Sequence, residues 1–167
     1  MKKWLLMGAS IIFTTSIILF FLQNGEAGAV PGSITVQAKV NPNISVSVDP
    51  TSILLEGIPG STVTSSSPVV VNVKSNVDYN LSVQATQDLT DTSVSPASTL
   101  PISRLSWAPS GTGAWTAFSL ADTAIAVAEP KAVGGGKDYV FDYRFVIDPS
   151  DPVGAYSTTI VYTAVAY

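Results

Sequence analysis

The residues whose types and spacing could do chemistry are few, because the 167-residue chain contains neither Cys nor His. No thiolate nucleophile, disulfide, Cys-ligated metal, imidazole base or His-containing triad can be assembled from it. Ser65, Ser66 and Ser67 form a run of hydroxyls with no base paired to them in the sequence, a pattern too common to mark a nucleophile. Scattered carboxylates are compatible in principle with glycoside hydrolysis, but no acid/base pair stands out. Asp148, Ser150 and Asp151, or Asp88 with Asp91, could offer oxygens to calcium; neither segment has a spaced acidic loop, and a Pro-rich turn with solvated Asp is the favoured reading. Gly134-Gly135-Gly136 lacks the Lys-Ser/Thr and the helix of a phosphate loop and reads as a flexible hairpin tip. Asn43-Ile44-Ser45 and Asn80-Leu81-Ser82 match the glycosylation sequon, a short and weak signal. Trp107, Trp115, Phe118, Tyr156 and Tyr162 could form a sugar-stacking platform, although core packing is the stronger expectation for large aromatics. No catalytic residue, cofactor or metal is therefore expected, and the chain reads as something other than an enzyme.

The elements that must carry these residues are β-strands. Period-2 alternation recurs along the chain and no stretch shows a convincing 3.6-residue period. Strands are expected over Ser33–Val40, Ile44–Val48, Val69–Ser75, Tyr79–Thr86, Tyr139–Ile147 and Tyr156–Ala166, with weaker candidates at Ser52–Leu55, Ile102–Trp107, Trp115–Ser119 and Ala124–Ala128. Turn chemistry separates them, as at Asn41-Pro42-Asn43, Asp49-Pro50, Pro59-Gly60 and Pro109-Ser110-Gly111. About nine or ten short strands at this spacing predict an all-β fold, an antiparallel β-sandwich of jelly-roll or immunoglobulin-like type. Residues 61–67 and 88–99, rich in Ser and Thr, are expected to be long loops or strand-edge excursions.

The first residues read as an address. Lys2 and Lys3 precede an apolar run from Trp4 to Leu22, and Ala27-Gly28-Ala29 supplies a small-x-small cleavage pattern. Residues 1–29 are expected to be a cleaved secretory signal peptide, with an uncleaved anchor the alternative. Residues 30–43 then form an N-terminal strand and linker, and residues 44–167 the sandwich domain. Cleavage leaves 6 basic against 11 acidic residues. Such a balance argues against nucleic acid as a partner. A secreted protein, extracellular or at the cell surface and with no membrane segment after cleavage, is the expectation.

Ser33–Val40 alternates cleanly, with Ile34, Val36, Ala38 and Val40 on one face. It can be an ordinary first strand of its own sandwich, or it can add to the sheet of a neighbouring subunit. In the second case each subunit leaves a groove for the next, and the contact propagates into a fibre. Residues 157–167 carry no charge and Ser33–Val40 carries only Lys39, so both terminal strands lack the charges that usually blunt a sheet edge.

With the strands placed, the turn Leu55-Glu56-Gly57-Ile58-Pro59-Gly60-Ser61, the Val-rich Val69–Val73, the run Ser75–Val83 and the closing Gly154-Ala155-Tyr156 strand carry a resemblance. The chain is similar, over residues 44–167, to a broad group of secreted prokaryotic β-sandwich surface proteins. The group includes the TasA/camelysin biofilm-fibre proteins, the archaeal bundling pilins and the WxL surface domains. Trp107 and Trp115 are followed by Ala-Pro and Thr-Ala, so no Trp-x-Leu motif occurs after the expected signal peptide and peptidoglycan attachment is not supported. For the fibre-forming members the resemblance implies a pilus or biofilm-matrix filament built by donor-strand complementation, with Ile34, Val36, Ala38 and Val40 as the inserted residues. The expected function is thus a self-associating structural subunit. The alternative is a monomeric surface module that binds polysaccharide or cell wall.

Overall fold

A computed structural model describes residues 32–167, so the expected signal peptide over residues 1–29 lies outside the described residues. The chain divides into two units, Met1–Lys39 and Val40–Tyr167. In the first, the described residues have no secondary structure, and the strand expected over Ser33–Val40 is not formed. Ile34, Val36 and Val40 are 87%, 80% and 84% exposed, and Ala38 is exposed as well. A lone extended segment has no ladder to hold it in water.

The second unit is an antiparallel β-sandwich of eleven strands. They are β1 (Ile44–Asp49), β2 (Thr62–Thr64), β3 (Val69–Ser75), β4 (Tyr79–Ala85), β5 (Leu89–Asp91), β6 (Ser98–Leu100), β7 (Leu105–Pro109), β8 (Thr116–Ala117), β9 (Thr123–Glu129), β10 (Lys137–Val146) and β11 (Ile160–Ala166). The larger sheet has the order β1-β3-β10-β7-β8, with β2 also on β10, and the smaller has the order β11-β4-β9. Strands β5 and β6 form a separate hairpin, tied to the approach of β11 by reciprocal 3.0 Å bonds between Thr90 and Ser157. Among the described residues no helix is long and apolar enough to cross a membrane.

Alternation builds the core directly. Val69, Val71 and Val73 of β3 and Tyr79, Leu81, Val83 and Ala85 of β4 are all buried, while the residues between them lie nearer solvent. Each large apolar side chain so buried stabilises the fold by about 1.5–3 kcal/mol. Four details depart from the expectation. The Ser/Thr-rich stretches 61–67 and 88–99 are not loops throughout, since they contain β2, β5 and β6. Ser52–Leu55 forms no strand, and Pro101 opens a 3-10 turn over Ile102–Arg104 before β7 begins at Leu105. The three glycines 134–136 connect β9 of one sheet to β10 of the other, so they are not a hairpin tip.

Tyrosines tie the two sheets together. Tyr143 of β10 and Tyr162 of β11 share a 2.6 Å hydroxyl–hydroxyl hydrogen bond, and Tyr79 of β4 and Tyr139 of β10 share one of 3.0 Å. Burial pushes the Tyr143 phenol up to about 12, partly offset by the bond from Tyr162. Burial also raises Tyr162 and Tyr139, each helped by its phenol partner. A folded-state value above the unfolded one means stability that is complete below about pH 10 and lost as pH rises beyond it. The melting temperature is therefore expected to fall steeply above about pH 10. Tyr162→Phe should lower stability by about 1–2 kcal/mol at neutral pH, because the buried Tyr143 hydroxyl loses its partner, and should flatten the alkaline fall. Thermal unfolding from pH 7 to 11 checks both.

Candidate functional site

Five strands of the two sheets have a single partner, the three-residue β2 among them, and they are not equally protected. Strand β8 is only two residues long. Strand β9 is bulged, with register shifts against β4 and a left-handed Ala128 at φ 52°. Short and bulged edges resist pairing with another chain. By contrast β1 and β11 are regular over six and seven residues, and they contact each other across the same side of the sandwich. Of the two uncharged terminal segments, weighed in the sequence as either edges or central strands, β11 is an edge strand, while Ser33–Val40 forms no strand.

Near the end of β1 this side opens. After the Asp49–Val70 pair the chain leaves the sheet at Pro50, which has no N–H to donate to a ladder. It rejoins only at β2, which pairs with β10 alone. A cleft of about 770 Å³ lies beneath the departed segment. Its apolar floor includes Val69, Leu89, Leu100, Leu105, Tyr143 and Phe145. Its two walls are residues 50–57 and 151–160, and the rim exposes Leu54 at 83% and Val153 at 95%.

Each wall is fixed by a specific close approach. At Gly57 a Cβ would stand 2.5 Å from Val63 Cγ2 and 2.9 Å from Ile147 Cδ1, so any side chain there would force those neighbours to shift. On the other wall the buried Asp91 carboxylate accepts hydrogen bonds from the Ser93 amide (2.8 Å), the Ser93 hydroxyl (2.6 Å) and the Ala155 amide (3.1 Å). A Cβ at Gly154 would collide with that carboxylate. The bonds from Ser93, with a smaller one from Ala155, hold the Asp91 carboxyl below the usual carboxylate range against the opposing effect of burial. That stabilisation is present at neutral pH and is lost as pH falls through the lowered value.

The other candidates are dispersed. Ile34, Val36, Ala38 and Val40 all lie exposed on the unpaired segment that precedes β1. The aromatics form no shared platform, because Trp107 and Phe118 are buried in the core. Trp115 lies under the Arg144 guanidinium at 4.5 Å, and Tyr156 bonds Ser98 Oγ and the Pro152 carbonyl. The acidic loop is internally satisfied: Asp148 accepts from the Ser150 amide and hydroxyl, while Asp151 accepts from the Asp148 amide and pairs with Arg104 at 3.2 Å. Asp88 accepts from the Ile102 amide. Among the described residues no group of three acidic side chains is gathered to hold a metal ion. Sequence reasoning missed the cleft itself, although Ile53-Leu54-Leu55 and Ile58, apolar residues in a proline-flanked stretch, are the signal that could have pointed to it.

Compared with known proteins, the sequence matches no protein-family model and no curated protein.

Proposed function

We propose that the protein is the structural subunit of an extracellular filament, and that subunits join by insertion of Ser33–Val40 into the cleft of the next copy. One observation carries this reading: a sandwich with an open apolar cleft belongs to a chain whose leading segment is apolar, alternating and unpaired. Eight extended residues span roughly 26 Å and offer four side chains to one face. Burying Ile34, Val36 and Val40 contributes about 1.5–3 kcal/mol each, against the loss of free translation and rotation on association.

The linker favours a second copy over self-insertion. The Asn76 side chain accepts from the Asn43 amide at 2.7 Å and donates to the Asn41 carbonyl at 3.0 Å, and the Asn76 amide donates to the Asn43 carbonyl. These bonds hold Asn41–Asn43 as a continuation of β1 beside the end of β3. A hairpin at those residues, which self-insertion along β1 would need, is not made. Attachment to a cell surface is compatible with this role. The polysaccharide-binding alternative has less support, since Trp107 and Phe118 of the five aromatics it needs are buried in the core.

Negative-stain electron microscopy of the exported protein at rising concentration, with a mass of its N-terminus, tests the proposal. Fibres whose subunits begin at Val30 are expected. Particles that stay monodisperse at every concentration would overturn it.

A further inference from the structure

We propose that insertion has a single polarity, set by an ion pair between Lys39 of the donor and Glu56 of the acceptor; this rests on the donor-strand reading above. The apolar pattern alone does not choose a direction. Ile34, Val36, Ala38 and Val40 occupy alternate positions, so the segment presents the same apolar face whether it enters parallel or antiparallel. What distinguishes its two ends is charge, because Lys39 is the only charged residue in Ser33–Val40.

The cleft is asymmetric in the same way. Its lining contains two carboxylates, Glu56 and Asp151. Asp151 is engaged by Arg104 and by the Asp148 amide. Glu56 is exposed and, among the described residues, its side chain makes no ion pair or hydrogen bond. Glu56 stands next to Gly57, the last residue of the 50–57 wall, so the free carboxylate marks one end of that wall. Lys39 lies on the strand face opposite the inserted residues, and it would meet the rim, where Glu56 stands, while the apolar face meets the floor. The reversed strand would leave both charges unpaired at the interface, and charge arrangement of this kind selects orientation and register more than it adds affinity.

The absence of native Cys makes the test direct. In fibres carrying Lys39→Cys and Glu56→Cys, oxidation should link subunits into a ladder on a non-reducing gel. Fibres carrying Ser33→Cys and Glu56→Cys should give monomers. A ladder from the Ser33 pair alone, or from neither pair in intact fibres, overturns the polarity and leaves donor insertion standing. Charge variants decide independently if the Cys pairs assemble poorly. Lys39→Glu should raise the critical concentration for assembly about fivefold, and adding Glu56→Lys should restore it. No rise, or no restoration, overturns the ion pair. If the native chain forms no fibre at all, donor insertion itself fails and the polarity falls with it.

Discussion

Deletion of residues 30–40 is expected to abolish fibres and to leave a folded monomer. The sandwich unit starts at Val40, its first strand begins at Ile44, and the Asn76 bonds that seat Asn41 and Asn43 survive the deletion. The deleted side chains Ile34, Val36, Ala38 and Val40 are exposed in the single chain, so their loss should change its stability by no more than about 0.5 kcal/mol. Under the proposed mechanism the same deletion removes the entire donor strand between subunits. Denaturant unfolding and electron microscopy on one sample separate the effects: an unchanged midpoint with no fibres is the expected result. Fibres that persist after the deletion would contradict the mechanism.

Phe141→Ala should be the most damaging single core substitution, at about 3–5 kcal/mol. Phe141 lies in the middle of β10, buried between the two sheets. Its ring meets the edge of Trp107 at 5.1 Å and 82°, and stacks on Tyr162 of the opposite sheet at 6.0 Å. Truncation leaves a cavity and removes both aromatic contacts. Domains have only about 5–15 kcal/mol of stability, so the variant is expected to be near the edge of folding. A loss under about 1 kcal/mol in urea unfolding would show that the two sheets are not held together there.

The long alternating runs were legible in the sequence, and β3 and β4 follow them nearly to the residue, because in each the inward side chains are fully buried and the pattern is sharp. Strand β11 begins at Ile160 and not at Tyr156, since Ser157 is bonded to Thr90 of the β5–β6 hairpin. Strands β2, β5 and β6 were invisible because three residues are too few to show a period. The cleft was illegible for a different reason. Its floor is assembled from β3, β5, β6, β7 and β10, and its existence depends on where β1 leaves the sheet. Ser33–Val40 shows the limit of the alternation argument. A period of 2 shows that a segment has an apolar face, but not whether its own sandwich covers that face.

The most direct test of the donor mechanism is binding of a synthetic Ser33–Val40 peptide to the protein lacking residues 30–40, followed by NMR. Saturable binding is expected, with the largest shifts at Leu54, Leu89, Val153 and Ile160 around the cleft. A peptide with Val36→Asp should not bind, since it places a charge on the apolar floor. No binding at any accessible peptide concentration, or shifts confined to β8 and β9 on the other edges, would contradict insertion into the cleft.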